Sequence, residues 1–198
     1  MAQQIVELEC PGCGARVSSN MSECEYCHKP IIISSFNSVY NMPMPEINKY
    51  AGAYRKALAE NPDNTGLNNS VAMCYLKLKM YDKALPAFEK AMEDNFDNSE
   101  TFFYAAICLL RGKIAFTASK ADIDKAIAYI HSACMIEPRG VYYLYQAYLV
   151  SDFYERKHLR TSPTSAELIG MAMANGLSPY DRDQLFLVLG VEVPPAFR

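Results

Sequence analysis

Residues 67–96, LNNSVAMCYLKLKMYDKALPAFEKAMEDNF, contain a phrase that recurs along the chain: Ala84, then Phe88 four residues on, Ala91 three further, and Phe96 five beyond that. Upstream, Tyr50, Tyr54, Ala57 and Pro62 repeat the spacing, and downstream Ala126, Ile130, Ala133 and Pro138 do so again. A weaker fourth copy runs Glu167, Met171, Ala174 and Pro179. Steps of three and four place these residues on one face of a helix, so the chain from Glu46 onward reads as helical. The first two copies lie 34 residues apart and the third follows the second by 42. About eight residues are therefore inserted, and they fall around Arg111 to Ser119.

A 34-residue helical period resembles tetratricopeptide repeats, helix–turn–helix units that stack into an α-solenoid. Residues 67–95 are the best single match. Val71, Ala72 and Tyr75 stand where that family's first helix has its leucine, small residue and tyrosine, and Tyr81 matches the aromatic beside the turn. The resemblance implies that Ala72 and Ala84 let the two helices approach closely. It covers about residues 46–179.

Beyond the third copy the pattern loosens. A long first helix is expected from Val141 to about Arg160, and its partner from Ser162-Pro163 with Glu167 in the first turn. Ser178-Pro179-Tyr180-Asp181 starts a last helix that stops at Gly190, suited to capping the final apolar face. Residues 46–190 thus form the array and residues 191–198 a tail.

The front of the chain differs. Cys10-Pro-Gly-Cys13-Gly14 and Cys24-Glu-Tyr-Cys27-His28 are two CxxC turns separated by ten residues. Two such turns can arrange four thiolates tetrahedrally around one zinc ion. Ile5-Val6-Glu7-Leu8 and Ile31-Ile32-Ile33 read as flanking short strands. This module resembles a short zinc ribbon over about residues 4–34, with residues 1–35 as its domain. Free thiols and a rubredoxin-like iron site are the other readings of the same cysteines. Four cysteines close the coordination shell, so the metal is expected to be structural rather than catalytic. His28 departs from the ribbon pattern, standing where glycine is usual, and reads as a surface residue. Residues 36–45, with Pro43 and Pro45, read as a linker in which Phe36, Val39 and Tyr40 pack on a neighbour.

In the family's register, first helices line a concave groove. The resemblance places Gly66, Asn69 and Met73, then Phe103, Ile107 and Leu110, then Tyr142, Tyr145 and Leu149 there. Asn69, Met73, Phe103, Ile107, Tyr142 and Tyr145 are the candidate partner contacts, with ordinary packing as the competing reading. A lysine and asparagine clamp for chaperone carboxylates is lacking. Cys74, Cys108 and Cys134 read as core thiols. The cluster Arg156-Lys157-His158-Leu159-Arg160 suits a helix C-terminus, with a phosphate site as the lesser reading.

With 51% hydrophobic residues and a formal net charge of −3 in 198 residues, the chain can bury a core and has no general basic surface. Arg16 and Lys29 face Glu7, Glu9, Glu23 and Glu25 in the ribbon, which argues against nucleic acid as its partner. No apolar run is long enough to span a membrane, and the N-terminus lacks a secretory pattern. Only His28, His131 and His158 offer imidazoles, on separate elements. The sequence therefore predicts a cytoplasmic, non-catalytic scaffold or adaptor that binds a protein or peptide, with a nucleic-acid-associated regulator as the alternative.

Overall fold

The computed structural model describes residues 5–93 and 96–198. It divides into two compact units, Met1–Phe96 and Asp97–Arg198.

In the first unit, β1 (Glu7–Glu9) pairs antiparallel with β2 (Arg16–Ser18), Leu8 opposite Val17. These two side chains are buried while Glu7, Glu9 and Arg16 face solvent, the alternation a two-faced strand requires. This corrects the expected strand at 31–33. The tight turn after Cys10 returns the chain at once, so Arg16–Ser18 supplies the partner strand. Near the second turn only an isolated bridge, Glu23 to Pro30, forms. Ile31 and Ile33 are fully buried instead.

The residues read as a linker contain a helical turn, α1 (Asn37–Tyr40), with Phe36 and Val39 buried. Lys77 donates to the Tyr40 carbonyl and lies 4.7 Å from the Tyr40 ring centre. Pro43 precedes α2 (Met44–Glu60), which has Pro45 in its first turn and buries Ile47, Tyr50, Ala51, Tyr54 and Ala57. Proline near a helix start sacrifices no internal hydrogen bond. Asn64 accepts from the Leu67 amide and begins α3 (Thr65–Lys77). A turn through left-handed Lys79 (φ 56°) leads to α4 (Tyr81–Met92), which buries Ala84, Phe88, Ala91 and Met92.

In the second unit, Asn98 caps α5 (Ser99–Leu110) and Ser119 caps α6 (Lys120–Ile136). The expected insertion is the connector between them, turned by Arg111 (φ 51°) and Gly112 (φ 71°) and including a 3-10 turn, Ala115–Thr117. The Ala115 amide donates to the Tyr148 hydroxyl at 3.2 Å and the Phe116 amide to Asp152 at 2.8 Å. Those partners belong to the long first helix, which is α7 (Gly140–Leu149) continued by a π-helical turn, Val150–Glu155.

Thr164 and Glu167 form a reciprocal capping box at the start of α8 (Ser165–Ala174). That helix therefore begins after the Ser162-Pro163 start expected from sequence. Ser178 and Asp181 cap α9 (Pro179–Leu189), which ends at Gly190 with φ 72°. The tail folds back: the Phe197 ring lies 5.9 Å from Phe186 and 6.2 Å from Tyr148.

Among the described residues, no helix is long and apolar enough to cross a membrane.

Candidate metal centre

The two cysteine turns have the same backbone plan. The Cys10 amide donates to the Ala15 carbonyl (2.7 Å), and the Gly14 amide to the Cys10 carbonyl (2.9 Å). At equivalent places, the Cys24 amide donates to Lys29 (2.9 Å) and the His28 amide to Cys24 (2.8 Å). Gly14 (φ 82°) and His28 (φ 56°) close the turns in the left-handed region, where glycine is unstrained and other residues are not. His28 is exposed, as its surface assignment requires.

These turns bring together the sulfurs of Cys10, Cys13, Cys24 and Cys27, all within 4.8 Å of one another. Cys10 and Cys27 Sγ are 3.6 Å apart, and Cys13 and Cys24 Sγ 3.7 Å. Four sulfurs at about 2.3 Å from a central ion form a tetrahedron with edges of about 3.8 Å. Both short separations fit that edge, so the donor set suits a tetrahedral, thiolate-seeking metal ion. Cys10 and Cys24 are buried, whereas Cys13 is exposed. The Gly12 amide points at Cys10 Sγ from 3.4 Å, and a side chain at Gly12 would meet Cys27 Sγ at 3.0 Å. The glycine lets one turn lie against the other's sulfur.

Ion pairs tie the centre's surroundings to α2. Lys29 pairs with Glu46, whose hydrogen bond raises the lysine pKa, and Lys56 pairs with Glu9 at 2.6 Å.

The six candidate groove residues lie on α3, α5 and α7. Asn69, Met73, Phe103, Ile107, Tyr142 and Tyr145 are all buried. Each unit covers the face the family register leaves open. In the first, residues 67–76 are buried on every side of α3, and the Ile33 amide donates to Ser70 at 3.0 Å. In the second, α9 packs on α5 and α7. Phe103 lies 4.8 Å from the Tyr142 ring and 5.9 Å from Tyr145, and the Tyr145 hydroxyl donates to Ala106 at 3.0 Å.

Of the remaining thiols, Cys74 and Cys108 are buried and Cys134 partly so. Arg156 and Lys157 stack on Phe116 at 4.2 and 5.0 Å, holding the 111–119 connector as well as facing solvent. The histidines are exposed on separate elements. The sequence signal missed was Arg16-Val17-Ser18, an alternating triplet too short to stand out.

Helical hairpins preceded by a four-cysteine knuckle pair give a tetratricopeptide-like helical fold with a sulfur cluster that fits a zinc ribbon. Solved structures of MamA are similar in fold over about seven tenths of the chain. MamA MSR-1 C2 matches with a TM-score of 0.53 at 18% identity, over 71% of this chain and 76% of that one. MamA AMB-1 P212121 gives 0.53 at 18% over 73% and 82%, and a MamA RS-1 double mutant gives 0.52 at 17% over 71% and 75%. At these identities the likeness is one of fold. No family model and no curated protein matches the sequence.

Proposed function

We propose that this chain is a non-catalytic, cytoplasmic scaffold or adaptor that holds a protein or peptide through its helical array, with one structural zinc ion on Cys10, Cys13, Cys24 and Cys27. The observation that supports this reading is the likeness of the chain's helical hairpins to a tetratricopeptide-like fold, a class of repeats that suits macromolecular contact. Zinc fits because four thiolates at tetrahedral spacing leave no open position for substrate or activated water.

Because the first-helix faces are filled, the partner surface is assigned to outer apolar side chains of the second unit. Met135 on α6, Met173 on α8 and Leu187 on α9 are 86%, 64% and 56% exposed. Methionine adapts its shape to a partner at low cost.

The test is affinity capture with the zinc-loaded full chain, with and without nuclease, followed by mixing with the purified candidate. A one-to-one protein complex that survives nuclease and weakens in Met173→Glu supports the reading. Bound material that vanishes with nuclease replaces it with the nucleic-acid regulator.

A further inference from the structure

The segment leaving the second cysteine turn does not run free to the helices but is bonded into them. Lys29, two residues past Cys27, pairs with Glu46 on α2. Tyr50 then donates to the Pro30 carbonyl at 3.2 Å, and Tyr54 to the Ile31 carbonyl at 2.8 Å. The Ile33 amide donates to Ser70 Oγ on α3 at 3.0 Å, and the Ser70 hydroxyl donates within its own helix to the Gly66 carbonyl at 2.8 Å. Ile31, Ile33, Tyr50, Tyr54 and Ser70 are all fully buried. On the other side of the module, Lys56 on α2 reaches Glu9 on β1. The ribbon and the first helices form one compact unit.

We propose that the four-cysteine centre is a metal-dependent lock on α2 and α3. When the ion is bound, residues 30–33 are fixed against α2 and α3. When it is lost, that segment is released and the two helices loosen. The inference rests on the reading that the four sulfurs hold a metal ion.

The physical reason is size. Some 30 residues bury too little apolar surface to hold two cysteine turns without the ion, so binding free energy is folding free energy here. Once the turns unravel, Ile31 and Ile33 leave the interior. The Tyr54 hydroxyl then loses its buried acceptor, and α3, buried on every side, loses part of its cover. Coupling of this kind is reciprocal: contacts that hold residues 30–33 on the helices also strengthen metal binding.

The experiment is hydrogen exchange on the full chain with one equivalent of zinc and after chelation, read by mass spectrometry. Exchange is expected to accelerate at least roughly tenfold in residues 5–33 and in 44–77, with residues 120–155 unchanged. In the Tyr54→Phe, Ser70→Ala double variant, which keeps every sulfur, zinc affinity is expected to fall by about fivefold for each hydrogen bond lost. An acceleration confined to residues 5–29 would overturn the lock, as would parent-like zinc affinity in the double variant. Native mass spectrometry of the parent, run first, separates the two layers: a chain that takes up no zinc refutes the metal reading itself, and the lock with it.

Discussion

The hydroxyl of Tyr145 donates to the carbonyl of Ala106 across 3.0 Å, joining α7 to α5 inside the second unit where both residues are fully buried. A tyrosine so placed is a packing element with a specific acceptor. Tyr145→Ala is expected to destabilise the fold by about 3–5 kcal/mol, the range for emptying an aromatic site. Tyr145→Phe keeps the ring and loses one hydrogen bond, for about 1 kcal/mol. Urea unfolding of both variants checks the ranking. An alanine variant with parent stability and impaired partner capture would return Tyr145 to a binding face.

That pair also shows what could be read in advance. Helical periods, the α3–α4 hairpin, the inserted stretch and the last helix α9 with its terminal Gly190 were legible because each is a local pattern: apolar spacing, a capping residue, a terminal glycine. The four cysteines were legible for the same reason. Which face of α5 or α7 stays open is not local. It depends on α9 and Phe197 folding back over Tyr148, and neither carries a mark naming its target. Ile31–Ile33 misled because three β-branched residues suit a strand or a buried extended segment equally.

Gly140 fixes how α7 meets α8. A Cβ there would come within 2.5 Å of the Leu177 nitrogen and 2.6 Å of the Ala172 oxygen, and the Gly140 amide donates to Asn175 at 3.0 Å. These obstacles are backbone, so they cannot swing aside. Gly140→Ala is expected to cost about 1–3 kcal/mol or more, whereas Gly170→Ala, with open space around it, is expected to be neutral or stabilising. Thermal melts of the two variants decide the matter, and equal melting temperatures would refute the close approach.

Alkaline pH should unfold the second unit. Burial pushes Tyr142 and Tyr148 up to about 12, against about 10 in an unfolded chain. Between those values the folded state keeps protons that the unfolded state has lost. Stability from these phenols is therefore whole below pH ~10 and disappears as pH rises toward ~12. Denaturant midpoints across that window should fall, and Tyr142→Phe should make the fall shallower. A midpoint independent of pH from 9 to 12 would contradict the burial of both phenols.

Gly12 tests the centre at its tightest point. A methyl there would lie 2.8 Å from Lys29 Cδ, which can bend away, and 3.0 Å from Cys27 Sγ, which cannot move without opening the tetrahedron. Gly12→Ala is therefore expected to weaken zinc binding by roughly tenfold, in the range seen when the surroundings of metal ligands are altered. Gly14→Ala meets no atom within 4 Å and suffers only from its positive φ of 82°, a strain of about 1–2 kcal/mol. Competition against a chromogenic chelator, run on both variants, separates the mechanisms. If the sulfur contact matters, adding a small backbone strain will not mimic it: Gly12→Ala should bind zinc about tenfold more weakly and with distorted cobalt-substituted spectra, while Gly14→Ala should keep parent-like spectra. Identical spectra in both would mean that the second turn yields to the methyl and that the centre is softer than its geometry implies.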